Sequence, residues 1–441
     1  MLPMPEYWRR DVYPRLPGLI RKFGRPFHLY NKQGIIESGL AINRAFKDIP
    51  FRQYFAVKAL PEPMIWDFLF RELGFGFDCS SPDEFLAAQA IGAREDDIIY
   101  SSNDTDPQGF KLMSEGGCMA NLDDITFIPL LSKFPRRIFF RINPGKRLTT
   151  PEGNVIGNPY DAKYGITYNQ IIPAFKAARR RGAREFGLHI MPCSNDLINH
   201  HFVEVARFML QICAMLYKKL GIRIGWIDIG GGWGVPYRPK HRALNPEWIG
   251  QKITKLFLEF AAQFGWLTTL MTECGRYITG PHGILVNPVY HIMQKHRHFI
   301  GVAAAMTGCP RPAFYGAYHH IDILDPQGRL RRGPCHYTNV VGPKCENWDR
   351  LTPTNEQRLS PKSAKRGDIC VTANCGAHSG AMADNYNWWR RLMGILDQDG
   401  TNKNTIIIHH PETGEDITGN LVFPRDTLIT LRALRIKTGI H

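Results

Sequence analysis

Eight short apolar runs separated by amphipathic helical stretches occupy the chain from Gln53 to about Val286, a pattern that few architectures accommodate. The runs are Tyr54–Val57, Gly76–Cys79, Ile98–Tyr100, Cys118–Asn121, Arg137–Arg141, Glu185–Ile190, Trp226–Ile229 and Leu267–Glu273. Strands of this kind, each followed by a helix, build a parallel sheet buried on both faces, and eight of them match the count of a closed (β/α)8 TIM barrel. Such barrels carry their chemistry at the C-terminal ends of the strands. Lys58, Asp78, Arg141, His189, the run Gly230-Gly231-Gly232 and Glu273 all fall there.

Beyond Pro288 the texture changes to β-branched and aromatic runs punctuated by Gly and Pro: Val289–Gln294, Phe299–Ala304, His319–Ile323, Thr338–Val341, Asp368–Thr372 and Leu421–Pro424. With little helical period between them, they predict a mostly antiparallel β-domain, joined by an N-terminal strand at Pro26–Tyr30. The fold class is therefore α/β with a barrel over residues 48–286. A β-sandwich or β-barrel-like domain is expected from residues 1–47 and 287–441. A chain of 441 residues is long enough for two cores.

Composition removes several alternatives. The ten cysteines form no Cys-x-x-Cys pair and no regular spacing, so neither a disulfide framework nor a metal site is expected. The net charge of +15 suits nucleic acid or an acidic small molecule, but the basic residues are scattered and Arg179-Arg180-Arg181 lies on an amphipathic helix. A solvated face is the simpler reading, without nucleic acid as a partner. The N-terminal residues lack an apolar signal region, and no apolar run reaches the roughly 18 residues of a membrane span, so a cytoplasmic location without a membrane partner is expected.

The chemistry centres on Gln53-Tyr-Phe-Ala-Val-Lys-Ala-Leu-Pro-Glu-Pro63. Lys58 stands where a buried strand runs into a Pro-punctuated turn. It is either a lysine snorkelling into water or a Schiff-base lysine for an aldehyde cofactor, whose amine burial would make more nucleophilic. Asp228-Ile-Gly-Gly-Gly-Trp-Gly234 lacks dinucleotide-fold spacing; its glycines form either a tight turn or a cradle of backbone N–H groups for a phosphate. Glu273, in Thr272-Glu-Cys-Gly-Arg276, is a helix cap or a partner for a pyridine nitrogen.

Nine motifs, in order, tie these residues to a family: Tyr54-Phe-Ala-Val-Lys58, Phe77-Asp-Cys-Ser-Ser-Pro-Asp-Glu84, Arg141-Ile-Asn-Pro-Gly145, Lys163-Tyr-Gly165, Asp228-Ile-Gly-Gly-Gly232, Glu273-Cys-Gly-Arg276, Arg311-Pro-Ala-Phe-Tyr-Gly316, Cys345-Glu346 and Asp384-Asn-Tyr-Asn387. From about Phe27 to Leu396 the chain resembles the fold-type III pyridoxal-phosphate decarboxylases, which join an alanine-racemase-like barrel to a β-domain, and among them the diaminopimelate decarboxylases. The resemblance implies pyridoxal 5'-phosphate as cofactor and a homodimer with active sites at the interface. Lys58 would be the Schiff-base lysine, and Gly230, Gly231, Gly232, Ser194 and Tyr386 the phosphate ligands. Asp78, Arg141 and His189 would complete the cofactor site, with Glu273 holding the ring nitrogen protonated.

By the same resemblance, Cys345 is the acid that returns a proton to the carbanion, reaching the site across the dimer interface. Arg276, Arg311 and Tyr315 occupy the positions for the far carboxylate of diaminopimelate, and Glu346 that for its far amine. Arg276 and Tyr386 belong to both the cofactor and the substrate sets. An arginine fork suits a carboxylate, although Arg311 in its loop would also suit a surface acid. The expected reaction is decarboxylation of meso-2,6-diaminopimelate to L-lysine, a step of lysine biosynthesis. The alternatives are a D-lysine, D-ornithine or other basic amino-acid decarboxylase, or a catalytically silent regulatory relative. Departures from the family pattern bear on the substrate: Met191 stands where a stacking histidine is usual, Cys274 replaces a proline, His378 a tyrosine, and Asn347-Trp348 a small pair.

Overall fold

The computed structural model describes residues 3–24, 26–148, 162–353, 356–401, 403–424 and 427–439. Eight strands, β1 (Phe51–Ala56), β2 (Gly76–Cys79), β3 (Glu95–Ser101), β4 (Cys118–Leu122), β5 (Arg137–Arg141), β6 (Glu185–His189), β7 (Trp226–Asp228) and β8 (Thr269–Thr272), pair in sequence order and close on themselves as a barrel. Every pair is parallel, including the closing pair, in which Phe51 opposes Leu270. Each expected apolar run became a strand, two of them, Gly76–Cys79 and Arg137–Arg141, with the expected bounds and the others shifted at one or both ends by at most three residues.

The helices between strands begin and end where local chemistry directs. Pro63–Leu73, Pro82–Ile91, Pro107–Glu115 and Pro246–Phe264 all start with proline, whose missing N–H costs nothing in the first turn. Ser81, Asp106 and Asn245 accept N–H bonds as caps, and Gly74, Gly92 and Gly265 close helices in the left-handed conformation. After β4 the usual helix is replaced by a 3-10 segment, Ile125–Leu130, which contains Pro129.

The barrel interior is packed. Tyr54, Ile99, Met119, Phe139 and Met271 form one cluster, with Trp226 beside it. The larger of these side chains contributes roughly 1.5–3 kcal/mol of burial each. Two rings are accommodated because strands next to them carry glycine: a Cβ at Gly76 would enter the Tyr54 ring and one at Gly187 the Phe139 ring. The floor thus filled leaves the strand C-termini as the place for a site.

The second unit is a connected set of nine mostly antiparallel strands, as the fold class expected, with the long strand Gly283–Gln294 shared between its two halves. Its main path runs 358–361, 335–341, 298–302, 283–294, 27–31, 393–397 and 405–409, with strands 369–372 and 321–324 joined through Gly283–Gln294. Six of its eight pairings are antiparallel; Phe27–Asn31 runs parallel to Met393–Asp397, and His298–Val302 parallel to Cys335–Val341. Alternation puts Val286 and Val371 on one face, against Trp8, Val12 and Leu16, and Leu285 and Cys370 on the other, with Ile300 and Val340. Leu421–Pro424, expected as a strand, forms none. By internal contacts the units are Gln33–Pro281, and Leu2–Lys32 with His282–His441; the sequence placed the boundaries at 48 and 286.

Candidate active site

The C-terminal ends of the barrel strands gather charged groups from six strands. Asp78 lies in β2 opposite Ala56, and Arg141, His189 and Asp228 sit side by side at the ends of β5, β6 and β7. Glu273 follows β8, and Lys58 stands in the 3-10 turn Val57–Ala59 after β1. Lys58 Nζ lies 3.4 Å from Asp78 Oδ2, its side chain 51% exposed while the carboxylate is buried. Sequence reasoning anticipated burial lowering this amine's pKa; the charge of Asp78 outweighs desolvation and raises it.

His189 Nε2 bonds Glu273 Oε2 at 3.0 Å, and Oε1 is buried and meets no N–H donor among the described residues, with the Asp228 carboxyl beside it. Burial pushes the Glu273 carboxyl up, but the charge and hydrogen bond of His189, with Lys58 and Arg141, bring it down to about 2. Asp78 goes the other way: burial and the negative charge of Glu273 raise it to about 7 against the pull of Lys58. Burial and the negative charge of Glu273 push Asp228 well above the usual carboxylate range, while one of its oxygens accepts the Gly230 N–H at 2.8 Å.

The glycine run beside these acids is a cradle that side chains would fill. Gly230 and Gly232 adopt φ of +71° and +82°, and a Cβ on Gly231 would meet the Glu273 carbonyl oxygen at 2.5 Å. The Gly231 N–H donates to Met191 Sδ at 3.3 Å, a weak acceptor that a phosphate oxygen outmatches. Arg276 links Ser194, which the sequence singled out, to Tyr237, which it did not: Nη2 donates to Ser194 Oγ at 3.3 Å and Nη1 to Tyr237 OH at 2.9 Å. Arg141 pairs with Asp123 at 3.4 Å and lies over the Tyr164 ring at 4.4 Å. Asp123 follows β4, so strand-end position was the signal that would have found it. An accessible amine, a buried carboxylate oxygen without an N–H donor among the described residues and a glycine cradle fit pyridoxal phosphate.

The remaining expected residues belong to the second unit. Arg311 is buried on the short helix Arg311–Tyr315, and Nη1 lies 2.9 Å from His319 Nε2. His319 Nδ1 is 2.8 Å from the Ala373 carbonyl, which only accepts, so Nδ1 carries the proton and Nε2 receives the Arg311 N–H. Tyr315, Cys345, Glu346 and Tyr386 are exposed. Glu346 accepts the Trp348 N–H at 3.1 Å, and the Cys345 N–H donates to Asn387 Oδ1 at 2.7 Å. All ten cysteines are free thiols, Cys335 and Cys345 being the exposed ones. No helix among the described residues is long and apolar enough to cross a membrane.

Residues 33–280 match the family model described as pyridoxal-dependent decarboxylase, pyridoxal binding domain. Protein TabA of Pseudomonas amygdali pv. tabaci is 35% identical, over 95% of this chain and 96% of its own length. The diaminopimelate decarboxylase of Thermoplasma acidophilum is 31% identical, over 92% and 94%. A crystal structure of a diaminopimelate decarboxylase matches this fold with a TM-score of 0.81 at 28% identity, covering 92% of this chain and 95% of its own.

Proposed function

The chain belongs to the family of pyridoxal-dependent decarboxylases, and from that premise we propose that it decarboxylates a diamino acid, with meso-2,6-diaminopimelate the leading substrate and L-lysine the product. The observation that carries the reaction type is Glu273 at the end of β8, one oxygen held by His189 and the other buried and without an N–H donor among the described residues. A carboxylate held ionised at that place keeps a proton on the nitrogen of a bound pyridine ring. When bound, pyridoxal phosphate would supply an aldehyde and a ring that accepts the electron pair left on the carbon when CO2 departs.

The chain's own groups do the rest in this reading. Lys58 offers its amine at the barrel mouth, oriented by Asp78. The N–H groups of Gly230, Gly231 and Gly232, with Ser194 and Tyr386, bind the phosphate, and Arg276 steadies Ser194. Cys345 Sγ holds the proton that returns to the carbon from which CO2 has left, and it comes from the partner subunit of a homodimer. Arg311 and Tyr315 receive a far carboxylate and Glu346 a far amine. The buried Arg311, aimed by a neutral His319, supports a substrate that carries such a carboxylate.

The test is CO2 release by the cofactor-loaded protein against meso-diaminopimelate, D- and L-lysine, D- and L-ornithine and L-arginine. Turnover of meso-diaminopimelate with little of the monocarboxylic acids is expected, and Lys58→Ala abolishes both turnover and the visible absorbance of bound cofactor. Preference for a D-diamino acid would overturn the carboxylate reading of Arg311 and trace the specificity to Met191 and Trp348.

A further inference from the structure

The turn that carries Cys345 is fastened at three points. The Lys344 N–H donates to Asp349 Oδ2 at 2.8 Å, and the fully buried Lys344 side chain pairs with Asp384 Oδ1 at 2.6 Å. The third fastening is the Cys345 N–H itself, which donates to Asn387 Oδ1 at 2.7 Å. Asp384 also accepts the Tyr386 N–H at 2.8 Å, so one carboxylate ties the Lys344 side chain to the segment that ends in Asn387. Two motifs some forty residues apart thus hold each other, and in the function proposed above only Cys345, Glu346 and Tyr386 among their residues have a role.

Asn387 occupies its place against a conformational cost. Its φ of 56° and ψ of 22° lie in the left-handed region, and Trp388 follows at φ 60°. Side chains with a Cβ disfavour that region, asparagine less than most. A left-handed backbone turns the Asn387 amide toward the Cys345 main chain, and its oxygen meets that N–H at the distance of a strong bond. Lys344 and Asp349 anchor the residue before Cys345; Asn387 fixes the main chain at Cys345 itself.

We infer that Asn387 is a positioning residue for Cys345: its side-chain oxygen holds the Cys345 main chain so that the thiol is presented in one orientation when its proton is delivered. This rests on the reading of Cys345 as the proton donor. Proton transfer falls off steeply with misalignment of donor and acceptor, so loss of the latch acts on the rate of the step rather than on binding.

Two variants separate the hydrogen bond from the backbone conformation. Asn387→Gly keeps the left-handed turn and removes the acceptor, whereas Asn387→Asp keeps an acceptor oxygen on a residue that tolerates the same turn. In the cofactor-loaded enzyme, Asn387→Gly lowers kcat about ten- to a hundred-fold with KM and cofactor absorbance unchanged, and Asn387→Asp recovers most of the loss. In a Cys345→Ala background, Asn387→Gly has no further effect. An equal further loss in that background overturns the inference, as does loss of the cofactor absorbance, because Asn387 then serves the scaffold. Full activity of Asn387→Gly beside a slow Cys345→Ala sinks the latch alone. A Cys345→Ala enzyme with unaltered kcat removes the proton-donor reading and the latch with it.

Discussion

Asp78 and Glu273 are both buried carboxylates among the same cations, yet they are displaced in opposite directions, Asp78 up to about 7 and Glu273 down to about 2. Burial raises both; the difference is that Glu273 has His189 at 3.0 Å, while Asp78 faces the negative charge of Glu273 with Lys58 at 3.4 Å. The consequence for the cofactor-free protein follows by linkage. Between the ordinary value of 3.8 and about 7, folded Asp78 keeps a proton that the unfolded chain has released, so its contribution is full below about pH 4 and lost as pH rises to 7. Glu273 contributes above its ordinary 4.5 and loses that contribution as pH falls toward 2. Asp78→Asn therefore lessens the decline in thermal stability between about pH 4 and pH 7, part of which the likewise raised Asp228 supplies, leaving the acid limb set by Glu273 in place. Melting curves of the cofactor-free variant across that range check it; a decline as steep as in the unaltered protein rejects the assignment. Residue identities at strand ends made most of this site legible in the sequence. The partners were less so: strand-end position points to Asp123, but Tyr237 and His319 meet their arginines through the folded arrangement, and no spacing in the chain announces those meetings.

At the scale of elements, the loop after β7 joins the cradle to the acids, because the Gly231 backbone passes against the Glu273 carbonyl. Gly231→Ala forces either that loop or the end of β8 to move by several tenths of an ångström, which spreads the N–H groups and displaces Glu273 together. The expected outcome is at least about ten-fold weaker binding of pyridoxal phosphate, equivalent to roughly 1.4 kcal/mol, beside a lower melting temperature of the cofactor-free protein, because the added Cβ meets backbone rather than a yielding side chain. Titration of cofactor absorbance or fluorescence measures it, and unchanged affinity refutes the cradle. Elements were legible where burial on both faces left a continuous apolar run, as in all eight barrel strands. They were hidden where burial is partial or the pattern is broken. Thr405–His409 is a half-buried edge strand, and Arg358–Pro361 is a short edge strand ending in proline. Met393–Asp397 is fully buried but carries a glycine within a short run. Leu421–Pro424 has strand-like residues, but they are largely exposed and pair with nothing among the described residues, so apolar composition alone did not make a strand.

For the whole molecule, the proposed homodimer assigns Lys58 and Cys345 of each active site to different chains, and that division is testable without knowing the interface. The second unit exposes a set of large side chains, Tyr315, Tyr337, Trp348, Tyr386 and Trp388 among them, each between 49% and 67% accessible. Aromatic residues are enriched at the cores of protein interfaces. Cys345 and Glu346 lie in the same unit and are likewise exposed. If each site takes its amine from one chain and its thiol from the other, Lys58→Ala and Cys345→Ala inactivate different halves. Each homodimer is then crippled at both sites, but a mixed dimer places both altered residues in one site and leaves the other intact. Random reassembly of equal amounts makes about half the dimers mixed, each with one working site of two, so about a quarter of the unaltered activity returns. Separate unfolding and refolding of the two variants before mixing provides the control, since neither recovers activity alone. Were both residues of a site drawn from a single chain, mixing would restore nothing, because every chain in every dimer already lacks one of the two.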